Sequence, residues 1–384
     1  MSTVTDSKGP LSGIRVIDMA SVVAGPGSAR LLADFGADVI KVEPPGGDAT
    51  RRLGWKISES DDSLFWKLIG RNKKSVVLDL KSESGRKDML RLVESAHVLV
   101  ENMRPGKLED LGLGPDILLE HNPKIVIHRV TGFGQAGPYA ARPGFATLAE
   151  AMAGFAAING EPDGQPLLPP VALTDEIAAM LGAFGIMVAL WNARDTGEGQ
   201  VIDLSLIESM LQIMGPLPAA FAHLDYVQPR LGSGIPYTVP RGTYQCSDGV
   251  WVAVSTSSDA VAARVLEMVG LGHEERFVSF GGRVENRAEV ESHVAAWIGA
   301  RASDEVYRMF EEADAAVGPV YTMKDIFSDP HFNDRGVFEE VDGIVMQAAV
   351  PRLSRTPGRI RHAGRELGTD TESVLEELGD GSPD

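Results

Sequence analysis

Between residues 13 and 134, short apolar runs alternate with helix-length segments, and this rhythm constrains the fold more than any other feature of the chain. Residues 13–19 (GIRVIDM) read as a buried strand, 26–35 as a helix and 37–43 (ADVIKVE) as the next strand. The pattern continues with a strand over 75–80, a helix over 83–94, and strands over 97–101 and 125–130. Strands separated by helices of this length build a parallel, doubly wound sheet. Such a sheet holds its ligand in the loops beyond the carboxyl ends of the strands.

A glycine-rich stretch, 131–170, follows the fifth strand, and a sixth strand is expected over 201–206. Residues 207–240 are apolar and proline-rich, which suits a helix and a long linker. A hairpin signal centred on Asp248-Gly249 and helical patterns over 260–269, 294–298 and 304–313 then read as a smaller domain of mixed type.

The chemistry concentrates where Pro169 and Pro170 stop the preceding segment and Thr174 and Asp175 open an apolar helix running to about Trp191. With almost no polar face, that helix is expected to be buried on most sides. A carboxylate at its start would face the positive end of the helix dipole, which lowers its pKa and keeps it ionised. Such a group is a competent nucleophile toward an acyl carbon; it is equally a helix cap.

Composition removes several alternatives. With 54 acidic against 36 basic residues the formal charge is −18, which argues against nucleic acid or an anionic membrane as partner. Cys246 is the one cysteine, and the eight histidines show no ligand spacing, so neither a disulfide framework nor a metal site is expected. No run of 18 apolar residues occurs and the start of the chain is polar, so a cytoplasmic protein is expected. Ala24-Gly25-Pro26-Gly27 after the first strand invites a dinucleotide reading, with Glu43 as the ribose acid. Arg30 stands where the third glycine of that fingerprint belongs, however, and Pro26 removes an amide from the turn. Ser205 and Ser209 lack a nucleophile-elbow context. The residues alone support a small-molecule enzyme, with acyl transfer among its possible chemistries.

Motifs along nearly the whole chain resemble those of the family III CoA-transferases, the group named for formyl-CoA transferase and carnitine CoA-transferase. They are PLSGIRVID at 10–18, GADVIKVEPPG at 36–46, RNKKS at 71–75 with LDLK at 78–81, and VENMRPG at 100–106. They continue with GFGQAGP at 132–138, Asp175 before its helix, TGEGQ at 196–200, GPV at 318–320 and RLSRTPG at 352–358. The resemblance implies a Rossmann-like large domain formed by both termini, a smaller α+β domain inserted in it, and two chains interlocked as a homodimer. On that basis residues 1–206 form the first part of the large domain, 207–240 a linker, 241–317 the small domain, and 318–384 the return linker and the rest of the large domain.

The resemblance also implies reversible transfer of CoA from an acyl-CoA to a carboxylic acid, a di- or branched carboxylate, with Asp175 as a covalent nucleophile. CoA is then a substrate, with no permanently bound cofactor. Carried over position by position, Val23 and Ala24 meet the pantetheine, Leu78 and Lys81 the adenine, and Asn102, Met103 and Arg104 the nucleotide. Pro143, Gly144, Phe145 and Ala146 line the thioester. Arg104, with Lys73, Lys74, Arg51 and Arg52 as looser candidates, would offset the CoA phosphates. Val23 and Ala146 depart from formyl-CoA transferase, which has a glutamine and a glutamate there, so a formyl/oxalate pair is not implied. Related racemases carry a histidine where this chain has Phe145, and a phenyl ring cannot take a proton. An acyl-CoA racemase and a CoA-binding protein without transfer activity are the alternative readings.

Overall fold

A computed structural model describes residues 9–379. The chain divides into two units. The larger comprises 1–153, 169–215 and 335–384, and the smaller 154–168 and 216–334. The crossings at 215/216 and 334/335 fall within the linker expected over 207–240 and the return segment expected from 318, while the segment 154–168, expected in the larger domain, belongs to the smaller unit.

The larger unit is built on β1 (Arg15–Asp18), β2 (Asp38–Glu43), β3 (Lys73–Val77), β4 (Val98–Glu101), β5 (Val126–Thr131) and β6 (Val201–Ser205). All neighbours pair in parallel, in the order β3-β2-β1-β4-β5-β6, which is the doubly wound order with a switch point between β1 and β4. Strand periodicity separates the two faces. Val16, Val39, Val98 and Val126 point to one face, against the helices α1 (Ala24–Asp34) and, further along the chain, Leu173–Thr196. Ile17, Ile40, Leu99 and Ile127 point to the other, against the helix α2 (Glu83–Ser95). Each such aliphatic side chain contributes about 1.5–3 kcal/mol on burial, so a one-residue slip of any strand is excluded. The exposed edge at β3 is covered by the chain's return: Asp370 accepts the Ser75 amide at 2.8 Å and Thr371 Oγ1 accepts that of Val77 at 3.0 Å.

Two further helices complete the site, α3 (Ala146–Met152) and α4 (Leu173–Thr196), with α5 (Leu206–Gln212) directly after β6. At 24 residues α4 is long and apolar enough to cross a membrane by length and composition, although no run of 18 consecutive apolar residues marks it. One face, with Ala178, Ala179, Gly182, Ile186, Ala189 and Ala193, is buried against α1 and the sheet. The approach is close because the facing residues are small: a Cβ on Gly27 would lie 2.7 Å from that of Ala179. The other face corrects the sequence expectation of burial on most sides. Phe184 is 68% and Trp191 63% exposed, and Met180 and Val188 are exposed beside them.

In the smaller unit β7 (Arg241–Gln245) and β8 (Trp251–Ser255) pair antiparallel across the Asp248-Gly249 turn, with Gly249 at φ +84°. β9 (Val317–Pro319) adds to the far side of β8. One face of this sheet packs on helices over Asp259–Met268, Arg287–Gly299 and Ser303–Glu312, enclosing Tyr244, Val252, Val294 and Phe310.

Candidate active site

The loops after β1, β4 and β5 converge with the start of α4 on a cavity of about 320 Å³ in the larger unit. Clefts of about 540 and 570 Å³ lie elsewhere, and neither contains any of these loops. The cavity is at the carboxyl end of the sheet, flanking the switch point, where a doubly wound fold binds its ligand.

Asn102 ties the first two loops together. Its Oδ1 accepts the Ser21 N–H at 2.9 Å, and its Nδ2 donates to the Ser21 carbonyl at 2.7 Å. That clamp holds an unfavourable turn, because the next residue, Val22, has φ +69°. A β-branched residue there costs about 1–3 kcal/mol and persists only where its surroundings over-determine it. Behind the second loop, buried Glu101 accepts the Met103 amide at 2.6 Å and Arg129 Nε at 2.7 Å. The third loop crosses itself at Gly132 and Gly144, where a Cβ on Gly132 would lie 2.6 Å from the Gly144 Cα. Only glycine at both positions permits that crossing.

Asp175, the third residue of α4, is the one carboxylate among the lining residues. It is not the cap. The helix begins at Leu173 with Ala172 as its N-cap, which has no side-chain bond to give. An external group takes that role: Glu150 of α3, buried, accepts from Thr174 Oγ1 at 3.1 Å and from the Thr174 amide at 3.4 Å. One orphan amide of the helix start, that of Thr174, is thus met by a second acid beside the first.

The consequence reverses the expected electrostatics. Burial, and then the charges of Glu150 and Glu176, push the Asp175 carboxyl up from 3.8 to about 6. That rise corresponds to roughly 3 kcal/mol, whereas a helix dipole supplies about 0.3–1 kcal/mol. Asp175 is still mostly ionised at neutral pH, but it is a more basic carboxylate than an exposed one.

Of the residues carried over by resemblance, Val23, Ala24, Asn102, Met103, Arg104, Pro143, Gly144, Phe145 and Ala146 all line this cavity with Asp175. Leu78 and Lys81 do not. Leu78 is a core side chain, and Lys81 is exposed in the loop between β3 and α2. The looser basic candidates are also drawn elsewhere. Lys73 is buried and donates to Asp18 Oδ2 at 2.7 Å, Arg51 grips Glu43 through Nε and Nη2, both at 2.7 Å, and Lys74 pairs with Asp38 at 2.9 Å. Arg52 is exposed and donates to the Gly46 carbonyl. With both its oxygens on Arg51, Glu43 is not a free ribose acid either. Asn102 contributes chiefly by clamping Ser21.

The lining residues that escaped the sequence reading include Arg142, whose guanidinium lies 3.8 Å over the Tyr139 ring, and the strained Val22. Glu150, behind the cavity, was missed as well. Its signal was present, as a lone acid in the small, apolar run ATLAEAMAG. Arg104 and Arg142 are both exposed and, among the described residues, neither forms an ion pair, so the cavity rim carries two available guanidiniums.

Comparison with known proteins matches this geometry. The model of CoA-transferase family III matches residues 11–371. The chain is 39% identical to the succinyl-CoA–L-malate CoA-transferase alpha subunit of Chloroflexus aurantiacus, over 97% of this chain and 89% of that protein. It is 34% identical to the succinate–glutarate CoA-transferase of Agrobacterium fabrum, over 98% of each. The crystal structure of a CAIB/BAIF family protein from Brucella suis superposes with a TM-score of 0.85 at 30% identity, covering 97% of this chain and all of that one. The chain belongs to CoA-transferase family III and is an enzyme that moves CoA between acyl-CoA thioesters and carboxylates.

Proposed function

We propose that the enzyme works through a covalent aspartyl intermediate on Asp175, and that its donor and acceptor are small dicarboxylates, with succinyl-CoA as the first donor to test. The observation that carries this reading is the position of Asp175. It is the one carboxylate facing the cavity, on the first turn of α4, with an elevated proton affinity.

In the proposed sequence the Asp175 carboxylate attacks the thioester carbonyl, the C–S bond breaks, and CoA leaves as its thiolate with a mixed anhydride left on the enzyme. The thiolate attacks the aspartyl carbonyl and releases the donor acid as its carboxylate, giving an aspartyl-CoA thioester. The acceptor carboxylate attacks that thioester and expels the thiolate again. Attack of the thiolate on the acceptor's carbonyl then gives the new acyl-CoA and restores Asp175. Charge is conserved at each step and no proton is transferred. That suits a cavity in which no histidine is among the lining residues and Phe145 stands at the mouth, and it weighs against the racemase alternative.

A volume of about 320 Å³ suits a small acyl group and the thioester end of CoA. Arg104 and Arg142 at the rim suit its phosphates. The dicarboxylate class rests on the names of the Chloroflexus and Agrobacterium relatives, which pair a succinyl or succinate partner with malate or glutarate. We also propose that a second copy, or a similar subunit as the Chloroflexus name suggests, covers the exposed apolar face of α4. The test is mass spectrometry of the protein after incubation with succinyl-CoA and hydroxylamine. A succinyl-CoA-dependent hydroxamate at Asp175, absent from Asp175→Asn, is the expected result. An unmodified Asp175 under conditions where CoA is exchanged would overturn the intermediate.

A further inference from the structure

We propose that Glu150 is a positioning residue for Asp175, a buried carboxylate that fixes the first turn of α4 through Thr174 and makes the Asp175 carboxylate a stronger nucleophile. The proposal rests on the aspartyl mechanism above and deepens it.

The geometry comes first. A helix start needs acceptors for its orphan amides, and side-chain caps usually come from the N-cap residue itself. Here Ala172 cannot supply one, and the acceptor arrives from a different helix, α3. Glu150 Oε1 receives both the Thr174 amide and the Thr174 hydroxyl, and the same hydroxyl lies 3.3 Å from Met210 Sδ on α5. Thr174 is wholly buried, so three helices meet at the residue next to the nucleophile. A neutral acceptor such as glutamine would satisfy the same two donors. Burying a charged one beside another carboxylate is costly, and that excess over structural need points to a chemical use.

Among the described residues, the charges near Asp175 come from the elements packed against it. From α3 comes Glu150. From α4 itself comes Glu176, which is partly neutralised by Arg30 of α1 at 3.4 Å. α5 brings Ser209, Met210 and the acid Glu208, which is exposed and takes the Ser205 hydroxyl. Arg104 and Arg142 stand at the rim. Burial is the largest cause of the raised proton affinity of Asp175, and Glu150 is the larger of the two carboxylate contributions. A carboxylate destabilised by a neighbouring anion gains more when its charge passes to a departing thiolate. The rate of the first acyl transfer should therefore depend on the Glu150 charge as well as on its hydrogen bonds.

The experiment uses the full chain with Glu150→Gln, which keeps an acceptor for Thr174, and Glu150→Ala, which does not. Asp175 is titrated by ¹³C NMR of the carboxyl-labelled free enzyme, assigned with Asp175→Asn, and single-turnover acyl transfer from succinyl-CoA is followed across pH 5–9. In Glu150→Gln the Asp175 midpoint and the acid limb of the rate profile are expected to fall together by roughly 0.5–1 pH. Transfer above pH 7.5 should slow by roughly three- to tenfold. Glu150→Ala should be slower still at every pH. A Glu150→Gln enzyme with an unmoved Asp175 midpoint overturns the proposal, even if its melting temperature falls, since a purely structural role predicts that pattern. If the wild type forms no adduct, the aspartyl mechanism fails on its own. The NMR midpoint then decides the coupling between the two acids independently.

Discussion

Two acid-bearing regions lie at the carboxyl ends of the same sheet, and they are built in opposite ways. Around β1, β2 and β3, buried acids are matched by buried bases. Asp18 holds Lys73 at 2.7 Å, Lys41 reaches Asp48 at 3.1 Å, and Glu43 is gripped by Arg51. Glu43 and Asp48 are held below their ordinary carboxyl values despite their burial, because these cations and nearby donors outweigh it. At the start of α4 the second acid, Glu150, has a hydroxyl and an amide in place of a base, and the first, Asp175, is pushed up instead. The same residue type is thereby locked in ion pairs in one place and left without a base in the other. The surrounding charges decide which.

The largest effect should come from breaking the matched side. Lys73→Met removes the nearer of the two lysines that pair with Asp18, the other being Lys41 at 3.8 Å, and also vacates the bond from Lys73 Nζ to the Pro26 carbonyl of α1. A loss of about 3–5 kcal/mol in chemical denaturation is expected, with the CoA affinity of the remaining folded protein unchanged. Unaltered stability together with weakened CoA binding would return Lys73 to the list of phosphate contacts and erase the contrast between the two regions.

The unmatched side makes the opposite prediction for stability. Asp175 has a folded value near 6 against 3.8 for an ordinary aspartate. The folded state therefore binds the proton more tightly than the unfolded chain between those values, and stability attributable to this group falls as pH rises through that window. Asp175→Asn removes this burden. At pH 7.5 the variant should be more stable than wild type by about 1–3 kcal/mol, and at pH 3.5 the two should differ little. A variant that is equally or less stable at both pH values would mean that Asp175 is satisfied in the folded protein after all.

How much of this was legible follows from the range of the interactions. The strands β1 to β6 and the hairpin β7–β8 were readable because apolar periodicity is local, and their ends shift by at most three residues in the structure. Asp175 was readable as a helix-start carboxylate, and the family motifs named most of the loops that line its cavity. The environment of Asp175 was not readable, since it depends on Glu150, 25 positions earlier, arriving at the first turn of α4 by tertiary packing. The burial of Lys73 and Arg51 was hidden for the same reason: a basic residue looks available until its partner, distant in sequence or on another element, is seen. The apolar residues on the outer face of α4, such as Phe184 and Trp191, carry no mark of their own to separate a core face from an open one.

The smallest expected effect concerns the rim. Arg104 follows β4 in the loop clamped through Asn102, and Arg142 stacks on Tyr139 in the loop after β5. Both are exposed, so each should contribute the modest energy of a solvated charge meeting a phosphate, about 0.7–1.4 kcal/mol, or roughly three- to tenfold in affinity. Alanine at either position should raise KM for acyl-CoA by that factor, leave kcat nearly unchanged, and flatten the dependence of KM on ionic strength. The double variant tests whether the two act separately. Guanidiniums holding different phosphates should give nearly multiplicative losses, whereas two that share one phosphate should give a combined loss well short of the product. A fall in kcat in either single variant would place that arginine at the reacting carbonyl, moving a base from the rim to the carboxylate of Asp175.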